Sequence, residues 1–163
     1  MRVAIASLLL SLCAGCVTDD SALLREGASR QVPVLIYDTS WNDPREAPSW
    51  RMGDPVPKDA LHMGLVETGD RPVDTLWLHV AHCTAQGAPV LDTWLKFEGP
   101  FQPGQVYADA RAVGWLPDYL RVGASMHLVI LAVRIEDASG TQEFRDDVDK
   151  LLTHGVSNFC PKL

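Results

Sequence analysis

From Val73 onward, apolar and polar side chains alternate with a period of two, the spacing of half-buried strands. Val73 to Cys83 places Leu76, Leu78 and Val80 on one face and Trp77, His79 and Ala81 on the other. Ala85-Gln86-Gly87 is a turn signal, and Val90 to Phe97 alternates again, Leu91, Thr93, Leu95 and Phe97 against Trp94 and Lys96, so the two runs predict a hairpin. Val106 to Trp115 sets Val106, Ala108, Ala110 and Ala112 against Tyr107, Asp109, Arg111 and Val113. Ser125 to Glu136 is apolar on both faces, which predicts a central strand covered on both sides. Asp137-Ala138-Ser139-Gly140 then turns the chain into Thr141 to Phe144, a second hairpin.

Upstream the pattern is weaker. Val32 to Thr39 is a short β-prone run whose Pro33 suits a strand start or an edge. Ser40 to Lys58 contains Trp41, Trp50 and four prolines, and predicts an irregular segment. Its tryptophans either pack the segment across the sheet or form an aromatic surface for a partner. Ala60 to Thr68 fits a helical turn or a strand equally well. Near the C-terminus the period changes: Val148, Leu151 and Leu152 are spaced as on a helix, behind Asp146 and Asp147 and ahead of Lys150, His154 and Gly155. The elements together predict a mainly β chain, an immunoglobulin-like antiparallel β-sandwich with one short C-terminal helix. A two-layer α+β sheet is the alternative.

The first sixteen residues follow a different rule. Met1-Arg2 is a short basic start, Val3 to Cys13 a nearly unbroken apolar run, and Ala14-Gly15 a small-residue approach to Cys16. This is the layout of a secretion signal, and it is too short for a membrane span of about 20 apolar residues. The stretch resembles the lipobox of bacterial lipoproteins, with Cys13 where that pattern usually has Leu. The resemblance implies that Cys16 receives diacylglycerol on its thiol and becomes the mature N-terminus, and Val17 after it is similar to signals sorted to the outer membrane. Three segments are then expected: a signal peptide over 1–15, a lipidated N-terminus and tether over 16–31, and a single β-rich periplasmic domain over 32–163. In the tether Asp20 or Ser21 can cap a short helix that Gly27 ends early.

This address changes how the cysteines and charges read. With Cys13 discarded and Cys16 acylated, Cys83 and Cys160 are the pair left in the folded part, and an oxidising compartment predicts their disulfide. The chain has 14 Lys+Arg against 21 Asp+Glu, and loss of Arg2 makes it 13 against 21. That balance gives no electrostatic reason to bind nucleic acid or to lie on an anionic bilayer, so membrane attachment must come from the lipid.

Few residue patterns in the chain carry chemistry. His79-Val80-Ala81-His82-Cys83 gathers good metal ligands, but a regular strand points His82 away from His79 and Cys83. Asp146, Asp147 and Asp149 read as a solvated helix face, and Glu67, Asp70 and Asp74 as local caps around a turn. No serine-nucleophile elbow or phosphate loop is present in the sequence. The expectation is a non-catalytic envelope lipoprotein without cofactor or metal, binding or scaffolding another envelope component, with Trp41, Trp50, Trp77 and Trp94 as the partner surface. The alternative is an envelope hydrolase or metal-handling protein using His79 and His82.

Overall fold

The computed structural model describes residues 20–41, 51, 61–84, 86–114 and 128–160. Among these residues one helix, α1 (Asp20–Arg30), precedes seven strands: β1 (Val34–Trp41), β2 (Leu61–Glu67), β3 (Val73–Cys83), β4 (Pro89–Phe101), β5 (Val106–Val113), β6 (Leu128–Asp137) and β7 (Gly140–Phe144). All their pairings are antiparallel, in the order β1-β2-β5-β4-β3-β6-β7. Both predicted hairpins, β3–β4 and β6–β7, form.

The strands make one sheet, where an immunoglobulin-like sandwich would have two. The reason lies in β5, which divides its length between partners. Its first part, Val106 to Arg111, pairs with β2, while Ala112 and Val113 pair with Phe97 and Lys96 of β4. A strand that changes partner along its length bends the sheet about itself. The sheet therefore curls into a half-barrel, and Ile36, Met63 and Leu65 from one half meet Leu76, Leu78, Leu95, Phe97 and Val133 from the other in a single core.

Bulges decide which side chains reach that core. Met63 and Leu65 of β2 face Ala110 and Tyr107 of β5, so β5 holds one residue more than β2 over this stretch. Tyr107, Ala110 and Ala112 all turn inward as a result, whereas strict alternation separates Tyr107 from the alanines. In β6 an extra residue at Leu131 lets Ile130, Val133 and Ile135 share the core, while Val129 packs outside with Ala81 and Cys83. β4 also continues through Gly99-Pro100 to Phe101, and the turn comes at Gln102–Gln105 with Gly104 at φ +74°.

α1 corrects the tether expectation for residues 20–30. Its Leu23 is buried against Leu35 and Val66 on the outer face of β1 and β2. Gly27 lies inside the helix instead of ending it, because a Cβ there would stand 2.4 Å from Thr68 Cγ2. At the far end Arg30 donates to the carbonyls of Leu152 (2.7 Å) and Lys150 (3.2 Å) and pairs with Glu26.

The expected C-terminal helix is a four-residue 3-10 turn, Val148–Leu151. Its Val148 and Leu151, with Leu152, complete the core, and Leu152 bridges to Ile36 of β1. From there the tail crosses β6, with the Ile130 N–H donating to the Ser157 carbonyl at 3.0 Å. It ends at the predicted disulfide, Cys83–Cys160, with a Cα–Cα distance of 5.3 Å.

Candidate functional site

The outer face of β3, β4, β6 and β7 gathers chemistry that the inner face excludes. Alternation sends Leu76, Leu78 and Val80 into the core and leaves Trp77 and His79 outside. Register then sets Trp77 between Lys96 of β4 and Arg134 of β6, with His79 opposite Trp94. His79 stacks on Trp94 with ring centroids 4.8 Å apart and planes at 13°. The Arg134 guanidinium stands 4.5 Å from the centroid of the same indole, and that of Arg145 5.9 Å.

Each charge around these rings has a partner. Arg134 donates twice to Glu143 Oε2, at 2.8 and 2.9 Å, and Arg145 donates to Glu143 Oε1. The bond from Arg134 is the main reason that the Glu143 carboxyl is held below the usual carboxylate range. His79 Nε2 bonds Asp92, and that bond likewise lowers the Asp92 pKa. The Trp77 indole N–H donates to Glu136 at 3.0 Å, and Lys96 lies 5.8 Å over its ring while pairing with Glu98 at 2.8 Å. Exposed pairs of this kind add little stability. What they do is hold two half-buried indoles in fixed orientations on a sheet. Such an arrangement can take a flat or cationic partner by stacking.

The predicted site residues separate. Trp77 and Trp94 lie on this face, in adjacent rows of the β3–β4 ladder. Trp41 pairs with Leu61 at the end of β1, and its side chain and all of Trp50 lie outside the described residues. His79 is committed to Asp92 and Trp94, and Cys83 to the disulfide, so the His79–Cys83 cluster does not converge. His62, on β2, instead bonds Asp109, which also accepts from Arg111 at 2.9 Å. Among the described residues no group of three His, Cys, Asp or Glu side chains is placed to hold a metal ion, and no helix is long and apolar enough to cross a membrane.

Sequence reasoning missed Arg134, Glu143 and Arg145, which reach the tryptophans only through pairing of β6 with β3 and β7. It read Glu67 as a local cap, which the bond from the Gly69 N–H bears out, but missed its burial. The Glu67 side chain is wholly buried at the end of β2, with Oε1 accepting the Gly69 N–H at 3.0 Å, while among the described residues Oε2 has no hydrogen-bond partner. Burial pushes its pKa up to about 7; the Gly69 N–H opposes the rise and the charge of Asp70 adds to it. Its place at the end of a core-facing row was legible, since Leu61, Met63, Leu65 and Glu67 alternate.

Compared with known proteins, the chain matches no family model, no curated protein and no solved structure.

Proposed function

We propose that the chain is a non-catalytic envelope lipoprotein, a β-rich domain held by an acylated Cys16 to the periplasmic face of the outer membrane, where it binds or scaffolds another envelope protein. The observation that carries this reading is the leader, Val3 to Cys13 followed by Ala14-Gly15-Cys16. Two features support it. The Cys83–Cys160 disulfide suits an oxidising compartment. The indoles of Trp77 and Trp94, oriented by Glu136, His79 and Arg134, offer ring faces of the kind enriched at protein interfaces.

Labelled fatty acid fed to cells tests the anchor. The wild-type chain takes up label and fractionates with membranes, and Cys16→Ser loses the label and accumulates as precursor. Equal labelling of both chains sinks the assignment. The partner is tested by crosslinking in intact envelopes: one species is recovered reproducibly with wild type and is depleted with Trp94→Ala. Recovery that is indifferent to Trp94 places the contact elsewhere.

A further inference from the structure

Two turns enclose the Glu67 carboxyl, and they are not equally fastened. One is the turn that follows it. There the Thr68 and Gly69 N–H groups both donate to the Pro33 carbonyl, at 2.8 and 3.1 Å, and the Thr68 hydroxyl donates to the Val32 carbonyl. Thr68 Cγ2 also lies against Gly27 of α1. Moving this turn means moving the start of β1 and the helix with it.

The other is the β4–β5 turn, Gln102–Gln105. Among the described residues two backbone hydrogen bonds tie it to the rest of the sheet, and both end on Glu67. The Glu67 N–H donates to the Gln105 carbonyl at 3.1 Å, and the Gly104 N–H donates to the Glu67 carbonyl at 3.0 Å. All four residues of the turn are exposed, and a Cβ on Gly104 would meet no atom within 4 Å beyond its chain neighbours. The base is firmer. The ring of Tyr107 meets that of buried Phe101 edge-on at 5.1 Å, and its hydroxyl accepts the Gln102 N–H at 2.7 Å and donates to Gln105 Oε1 at 3.1 Å. The turn can therefore lift as a unit, hinged where β4 and β5 leave the core.

An anion fits this enclosure badly. Glu67 Oε2 has no hydrogen-bond partner among the described residues, and only the Gly69 and Gly104 N–H groups favour a negative charge there. Asp70 opposes it, although Arg71 pairs with Asp70 at 3.6 Å. Of the charges at the end of α1, Glu26 and Arg30 pair with each other, and neither the start of β1 nor the β4–β5 turn carries a titratable side chain. A carboxylate at Glu67 needs water, and water enters past the looser wall. We infer that the β4–β5 turn is a lid over the Glu67 carboxyl, shut while that group carries its proton and released when the proton leaves. Release frees the N–H and carbonyl of Glu67 at the end of the β2–β5 ladder.

Amide hydrogen exchange of the full chain at pH 5 and pH 8, corrected for intrinsic rates, tests this lid. In wild type the Glu67 and Gly104 amides exchange by local opening, ahead of Leu78 and Val133 in the paired core strands. With a pKa of about 7 when shut and the ordinary 4.5 when open, their opening constant rises about 70-fold from pH 5 to pH 8. Glu67→Gln cannot ionise, and its opening constant is the same at both values. Glu67 and Gly104 amides as well protected as Leu78 and Val133 at pH 8, or an equal rise in the variant, overturn the inference. Should the variant not fold, wild type decides alone. The Gly104 opening constant then levels off above the pH at which the carbon-13 shift of the Glu67 carboxyl is half-way through its titration, and a rise that continues well past that pH overturns the lid.

Discussion

A carboxyl group with no exposure and one oxygen unpartnered among the described residues makes Glu67 a group on which solution pH acts. Its neighbours are arranged around it: a Cβ on Gly69 would approach Glu67 Oε1 to 2.8 Å, so glycine there leaves room for the carboxyl. The pKa of about 7, against an ordinary 4.5, means that the folded chain favours the neutral acid. The folded state binds more protons than the unfolded state between these values. The contribution of Glu67 to stability is therefore greatest below pH 4.5, falls as pH rises from there to 7, and is level above it, with a total change on the order of 3 kcal/mol. Glu67→Gln keeps an acceptor for the Gly69 N–H but cannot ionise. The expected result is a urea midpoint for wild type that is lower at pH 8 than at pH 5, with that difference reduced in the variant. An unchanged difference would place the titrating group elsewhere.

At the scale of elements, the contact between α1 and the turn after β2 has a similarly sharp test. Gly27→Ala gains about 1 kcal/mol of helix propensity, but its methyl group must displace Thr68 Cγ2. The Thr68 hydroxyl is already committed to the Val32 carbonyl, so the side chain does not turn away freely. Overpacking of this kind costs about 1–3 kcal/mol, so Gly27→Ala should lower the denaturation midpoint. Thr68→Ser removes Cγ2 and keeps the hydroxyl. The double variant should therefore be more stable than Gly27→Ala alone, and a double variant no better than the single would refute the steric account. The same contact explains why the sequence misleads here: the rule that glycine ends helices knows nothing of a threonine 41 positions away that requires its absence of side chain. Period-two patterning served well where both strands of a hairpin are local, as for Leu76, Leu78 and Val80 against Leu95 and Phe97. It failed at Tyr107 and Leu131, where one added residue reverses the parity and only the partner strand reveals it.

At the scale of the whole molecule, the chain order and the spatial order diverge, since β5 separates β2 from β4, and no local signal encodes that arrangement. Much of the candidate site inherits this difficulty: Trp77 and Trp94 were legible from their own hairpin, but Arg134, Glu143 and Arg145 arrive through β6 and β7. The disulfide was legible because the compartment inferred from the leader left two cysteines to pair. Its physical effect follows from where the tail already lies. Leu151 and Leu152 are buried in the core, the Thr153 N–H donates to the Ile36 carbonyl at 2.9 Å, and Arg30 holds the end of the 3-10 turn. The tail thus has noncovalent contacts of its own, and the bond acts chiefly by restricting the unfolded chain. Closing a loop with a sequence separation of 77 is worth about 4 kcal/mol on that account. Cys83→Ser, Cys160→Ser and the double variant should lose this amount alike under oxidising conditions, measured by the urea midpoint, and should match reduced wild type under reducing ones. Near-native circular dichroism is expected for all three before denaturant is added. If oxidised wild type and the variants unfold at one midpoint, the cross-link contributes nothing, and the buried leucines and the Arg30 clamp alone hold the tail across the open side of the half-barrel.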